Sequence, residues 1–247
     1  MHKFKKDWNK YHLNIDGINL QWSDVDNLSF YATLQSGQFG KKDKMFSKQT
    51  FFEEFPKFYN LMWSLNNNLG INNIQSNSKI LDIGSGISII DLLLLKKDPS
   101  LKFFLLDKEE LTLNSDVYYS EDYFFYNTWE CVKDCLQTTN LPSSQVSFLQ
   151  PADTWPEDID VITSYFSWCM HYPKEVYWRK VLDHLSTNGM LVVDVRNLKD
   201  RNVVEEISDE LKIKPKTFEI KNSIPEWIDN YGNSILGWRC VWNRRLK

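Results

Sequence analysis

The stretch from Lys79 to Lys97, KILDIGSGISIIDLLLLKK, constrains this chain more than any other. A short apolar run carrying one acid (Ile80, Leu81, Asp82, Ile83) passes through Gly84-Ser85-Gly86 into a longer apolar segment that closes on two lysines. That order predicts a strand, a glycine turn and a helix. Gly84 and Gly86 let the backbone bend sharply and approach a ligand closely, since no Cβ intervenes. The turn would present the unpaired N–H groups of a helix N-terminus to a polar or anionic ligand. Taken alone, a Gly-x-Gly reads equally well as a structural turn.

The next element tilts the balance. Leu101 to Leu106 reads as a buried strand and stops at Asp107. An acid about 20 residues beyond a glycine turn, at the end of the second strand, is placed to bind ribose hydroxyls in nucleotide-binding α/β folds. Here the chain resembles the class I S-adenosylmethionine-dependent methyltransferases, whose first motif runs acid-x-Gly-x-Gly-x-Gly. Asp82, Gly84 and Gly86 match it, and Ser88 stands where the third glycine falls. The dinucleotide dehydrogenase pattern fits less well, because it lacks an acid at the position of Asp82.

The resemblance extends over about residues 75–243. It implies an α/β fold: a Rossmann-like, doubly wound, seven-stranded sheet, mostly parallel with a reversed last strand. Residues 1–74 would form an N-terminal helical and aromatic cap or lid, and residues 75–247 the methyltransferase domain. The loop Gln150 to Pro156 resembles the family segment that reads the adenine, with Asp153 as the matching acid. Cofactor contacts are thereby expected at Asp82, Gly84, Ser85, Gly86, Asp107, Lys108, Asp153 and Ser164. For Asp153 a turn aspartate is the plainer alternative.

Composition sets the class. With 247 residues, 42% hydrophobic and 25% charged, the chain suits one sizeable α/β domain. No apolar run reaches the roughly 20 residues of a membrane span. The N-terminus, MHKFKKDWNKYH, is basic but has no apolar core of a secretory signal, so the expected location is cytoplasmic. A net charge of −4 argues against a broad nucleic-acid footprint. Four cysteines are too few and too scattered for a disulfide scaffold, and Cys131 and Cys135 read as reduced packing residues rather than metal ligands. No metal is expected.

Residues 1–46 show no reliable strand. Aromatics from Ser47 to Leu69 recur at helical spacing, interrupted by Pro56. Asn66 to Ser78 reads as an Asn-rich connector without a packing signal. A long aromatic helix is predicted from about Tyr118 to Gln137, facing either core or substrate, followed by strands at Val146–Leu149 and Ile159–Thr163. A helix with Tyr177, Trp178, Val181, Leu182 and Leu185 on one face should end at Asn188-Gly189, ahead of a strand from Met190 to Val195. After a helix built on Val203, Val204, Ile207 and Leu211, Phe218–Ile220 and Ile235–Trp242 read as strands with no helix pattern between them.

In a doubly wound sheet, the loop Ser164 to Pro173 should face both cofactor and acceptor. His171 is the histidine placed there, and it is the candidate base for an alcohol acceptor or, equally, a loop residue held by a backbone carbonyl. The loop lacks the Pro-Pro-aromatic pattern of methyltransferases acting on DNA-base amines. Its Trp168-x-x-His171-Tyr172-Pro173 cluster is similar to bacterial and phage enzymes acting on small hydroxylated acceptors, including sugar O-methyltransferases. The expected partner is therefore a small-molecule or glycan acceptor. RNA or protein-side-chain methylation, and a nonenzymatic protein that keeps the fold for binding, stay open as alternatives.

Overall fold

The computed structural model describes residues 12–15, 18–21, 62–86, 88–107, 129–165, 167–170, 172–196, 202–219 and 237–246. Two short strands come first, β1 (His12–Ile15) and β2 (Ile18–Gln21), paired antiparallel as a separate two-stranded sheet. This corrects the expectation of no strand in that region. The overlooked signal is the Asp16-Gly17 dipeptide between the strands, a strong hairpin sequence.

The main sheet has seven strands: β3 (Lys79–Ile83), β4 (Lys102–Leu106), β5 (Val146–Leu149), β6 (Ile159–Ser164), β7 (Leu185–Arg196), β8 (Lys216–Glu219) and β9 (Gly237–Asn243). Their order is β5-β4-β3-β6-β7-β9-β8. The pairs from β5 through β7 are parallel, while β9 runs antiparallel to both β7 and β8. The reversed last strand is as the resemblance implied.

Five α-helical segments are described: α1 (62–68), α2 (Ile89–Lys97), α3 (Trp129–Thr138), α4 (Glu175–His184) and α5 (Val203–Leu211). Alternation along the strands splits the core into two layers. Ile80, Phe103, Leu105 and Val161 pack with α1, α2 and α3 on one face. Leu81, Ile83, Ile162, Leu191 and Val193 pack with α4 and α5 on the other. Every residue of α2 from Ile89 to Leu95 is buried, Asp91 included. A helix apolar on all sides has to be covered all round, and α1 supplies part of that cover through Met62 and Leu65.

Two segments differ from expectation, and a third resolves an open alternative. The strand after α4 starts at Leu185, not Met190, because Leu185 pairs with Ile159 across a register shift. The segment Asn66 to Ser78 is no loose connector: Asn66, Ile71 and Asn72 are buried. Of the two readings open for the aromatic helix, Trp129 of α3 takes the core one, 5.0 Å ring to ring from Phe148. The part of the predicted helix before Trp129, and most of the aromatic segment from Ser47, lie outside the described residues.

Candidate functional site

The chain runs outward from β3 to β4 and β5, then returns to β6 on the other side of β3. The switch point thus lies between the carboxyl ends of β3 and β6, where open α/β sheets bind ligands. The glycine turn leaves β3 there. Its first two N–H groups, of Gly84 and Ser85, donate to the Leu106 carbonyl at 2.7 and 3.3 Å. The Gly86 N–H donates to Asp107 Oδ2 at 2.7 Å. Turn and acid, read separately from the sequence, therefore meet at one point.

The turn is built from left-handed backbone. Gly84 has φ 73° and Gly86 φ 53°, and Ser88 adopts φ 55° just before α2. Ser88 thus takes the backbone conformation a glycine would supply, so the motif's departure there is accommodated with the geometry kept. A Cβ on Gly84 would come within 1.8 Å of Ser167 Oγ in the loop after β6, whereas one on Gly86 would meet none of the described residues within 4 Å.

Asp82 lies on the face of β3 that looks toward α2. Its carboxyl is buried and accepts a hydrogen bond from Thr163 Oγ1 at 2.8 Å. Burial pushes Asp82 up to about 6. The Asp91 carboxyl, in the first turn of α2, is also raised well above the usual range, first by burial and then by the charge of Asp82. Both Asp91 oxygens and Ser85 Oγ are buried without a donor or acceptor from another described residue.

The remaining predicted positions divide. Ser164 is fully buried, donating to the Ile83 carbonyl at 2.8 Å and accepting from the Trp168 N–H at 2.9 Å. It holds the loop after β6 against the end of β3. Asp153 is exposed and closes its own turn, its Oδ2 accepting from the Gln150 N–H at 2.8 Å. His171 and Lys108 lie outside the described residues. Of His171's neighbours, Trp168 is fully buried and donates to the Lys174 carbonyl at 3.0 Å. Tyr172 is half-buried, and burial first and the nearby Asp107 charge second raise its phenol pKa.

Sequence reasoning missed a polar network behind the turn. Arg239 of β9 is fully buried and grips Asp194 of β7 with two 2.7 Å bonds, from Nε to Oδ1 and from Nη2 to Oδ2. Its Nη1 donates to Asn66 Oδ1 at 2.8 Å, and its guanidinium stacks 4.5 Å from the Tyr165 ring. Burial holds the Tyr165 phenol far above its ordinary pKa, so it stays protonated and has no free base to offer. The overlooked signal was a charge inside each of two apolar strands, LVVDVR and WRCVW.

The residues fit S-adenosylmethionine on three observations. No described residue fills the space at Gly86, Asp107 stands beside it at the carboxyl edge, and buried polar atoms of Ser85 and Asp91 without a partner among the described residues lie on the turn and in the first turn of α2. A separate cavity of about 390 Å³, bordered by Met190, Lys212, Lys214, Lys216 and Asn243, lies at the amino edge of the sheet and shares no residue with the turn.

No protein-family model matches the chain, and no curated protein matches its sequence. Solved structures do match in shape. The O-methyltransferase unit of StiE (residues 942–1257) is 15% identical, with TM-score 0.55, covering 89% of this chain and 91% of that one. Geranyl diphosphate C-methyltransferase from Streptomyces coelicolor A3(2), solved with geranyl diphosphate and S-adenosyl-L-homocysteine, is 9% identical, with TM-score 0.53 and coverage of 83% and 88%. The [4+2]-cyclase SpnF is 11% identical, with TM-score 0.52 and coverage of 73% and 80%. The chain has the Rossmann-like fold of the class I S-adenosylmethionine-dependent methyltransferases.

Proposed function

We propose that the protein is an S-adenosylmethionine-dependent methyltransferase that O-methylates a small hydroxylated, sugar-like acceptor. The observation that carries this reading is the bond from the Gly86 N–H to Asp107 Oδ2, at the switch point of this sheet order. It brings a glycine turn and the acid proposed to bind the ribose together where such folds bind ligands. When bound, the cofactor supplies an electrophilic methyl group on a sulfonium. Asp107 and the turn from Gly84 to Gly86 would hold its ribose and amino-acid portions, and the exposed Asp153 would be available to the adenine amine.

The protein's larger task is alignment. Holding donor and acceptor in line is worth roughly 7–11 kcal/mol of barrier. Tyr172 and Tyr177, both half-buried and within electrostatic range of Asp107, offer aromatic surface near the same edge. His171, between Trp168 and Tyr172 in sequence, is the proposed base for the acceptor hydroxyl. A second reading, a protein that keeps the fold for other chemistry, draws support from the likeness to a [4+2]-cyclase.

Two measurements test the proposal. S-adenosylmethionine or S-adenosylhomocysteine should raise the melting temperature, by about 2.7 kcal/mol of stabilisation at a hundredfold excess over Kd. NAD should not. Incubation with methyl-labelled cofactor and a panel of glycans and small alcohols, read by mass spectrometry, should then find a product heavier by one methyl group. Stabilisation by NAD alone would end the cofactor assignment. Binding without methyl transfer to any alcohol, RNA or protein acceptor would favour the second reading.

A further inference from the structure

At the edge of the sheet opposite the glycine turn, the cavity of about 390 Å³ joins two surfaces of different character. Its floor is apolar: Val241 of β9 is buried and packs in one cluster with Leu69 and Met190. Ile213, in the connection from α5 to β8, adds a second apolar wall. The rim carries Lys212, Lys214 and Lys216, with Asn243 beside them. Among the described residues, none that lines the cavity is acidic.

The charge there is not cancelled locally. All three lysines are exposed, and no hydrogen bond or ion pair joins their ammonium groups to a described residue. The nearest acid in sequence, Glu210, is held by Lys174 and Trp178. Arg244 and Arg245, which follow Asn243, donate to the backbone carbonyls of Leu185, Ser186 and Asn188 at the same edge, not to carboxylates. A chain of net charge −4 thus gathers five cations at this edge. Two of the lysines have local explanations. Lys216 opens the last strand of the sheet, where a lysine guards against strand pairing. Lys212 caps the C-terminus of α5 and suits its dipole. Neither explains why both converge with Lys214 on one apolar cavity.

We infer that this cavity is a second ligand site, for a phosphate monoester carried on a small apolar body. Lysine binds phosphate as a point charge, and a dianion with three free oxygens matches three converging ammonium groups. The floor formed by Met190 and Val241 takes the apolar body. Exposed lysines are hydrated and screened, so charge alone gains little. Apolar contact alone leaves the rim unused. Binding therefore needs both halves in one molecule. The cavity shares no residue with the glycine turn, so the inference stands apart from the cofactor reading.

Calorimetric titration with naphthyl phosphate tests it, at about pH 7.5 where a phosphate monoester is mostly dianionic. Naphthol and inorganic phosphate serve as the two half-ligands. Naphthyl phosphate should bind with a millimolar or tighter Kd, at least about tenfold more tightly than either half. Added salt should weaken it. Changing Lys212→Gln, Lys214→Gln and Lys216→Gln together should cost at least about tenfold in affinity. These exposed changes should leave the melting temperature nearly unaltered. Saturating S-adenosylhomocysteine should leave the Kd for naphthyl phosphate unchanged. Equal binding of inorganic phosphate would reduce the site to a charged surface. Unchanged affinity in the lysine variant, or competition with S-adenosylhomocysteine, would place the ligand elsewhere. Any of these results, or no binding at millimolar naphthyl phosphate, overturns the inference and leaves the cofactor reading untouched.

Discussion

The Gly86 N–H donates to Asp107 Oδ2 across 2.7 Å, joining the turn after β3 to the acid after β4. One carboxylate oxygen thereby fixes the acid's orientation at the carboxyl edge of the sheet. Asp107→Ala should weaken S-adenosylhomocysteine binding at least tenfold in calorimetry, because charge-assisted hydrogen bonds are worth roughly 1.5–3 kcal/mol each. The melting temperature should change little by comparison. Unchanged affinity would remove Asp107 from the site.

Gly84 and Gly86 should respond differently to alanine. At Gly86 the added methyl meets none of the described residues, so the expected cost is that of left-handed backbone, about 1–2 kcal/mol. At Gly84 the same backbone cost is joined by a clash with Ser167 Oγ, 1.8 Å from the new Cβ. Gly84→Ala should therefore be the more destabilising in urea unfolding. Ser167→Gly should partly rescue it, and a double-mutant cycle showing simple additivity would contradict the contact.

Breaking the Arg239–Asp194 pair from one side should be severe. Both side chains are fully buried, and Arg239→Met leaves a carboxylate without its cation, a loss of about 3–5 kcal/mol. Arg239→Met combined with Asp194→Leu should recover much of that loss, since an apolar pair of similar volume carries no desolvation penalty. Denaturant midpoints of the two variants check this; equal destabilisation would assign the cost to packing around Asn66 and Tyr165.

The acidic pair beneath the turn predicts a pH dependence of stability. Both Asp82 and Asp91 have folded pKa values raised above the unfolded ones, Asp82 to about 6 and Asp91 well above the usual range. Raised carboxyl values mean that the folded state holds its protons more tightly than the unfolded chain. Their contribution is present below about pH 4 and lost as pH climbs through the folded values. Between pH 5 and pH 8 the wild-type melting temperature should therefore decline more than that of Asp91→Asn. Each kcal/mol of difference corresponds to roughly 2–4 °C in a chain of this size. Parallel profiles would mean that Asp91 contributes nothing to the dependence.

His171→Gln should lower turnover by about 10²–10⁴-fold with a hydroxylated acceptor, while leaving cofactor affinity nearly unchanged. The wild-type rate should rise with pH through the histidine's titration, neutral imidazole being the form that accepts a proton. A variant keeping more than a third of the rate at saturating acceptor would reduce His171 to a loop residue, with alignment carrying the chemistry.

The sequence by itself determined what depends on near neighbours. Strand, glycine turn and helix between Lys79 and Lys97 follow from local periodicity and from residues that tolerate or refuse left-handed backbone. The place of Asp107 at the end of the next strand follows in the same way. Local signals also went unread: the Asp16-Gly17 dipeptide announces the hairpin of β1 and β2. What only the tertiary structure decided are pairings between distant segments. Asp194 meets Arg239 across 45 residues, and Arg239 reaches Asn66 across 173. Ser167 comes to Gly84 because β6 returns beside β3. Asp91 reads in the sequence as a polar residue near the start of a helix, a position normally solvated and helpful to the helix dipole. Burial of α2 in the core it shares with the sheet, α1 and α3 removes the water from it. A buried acid facing a second acid is a consequence of that layering, which no local pattern encodes.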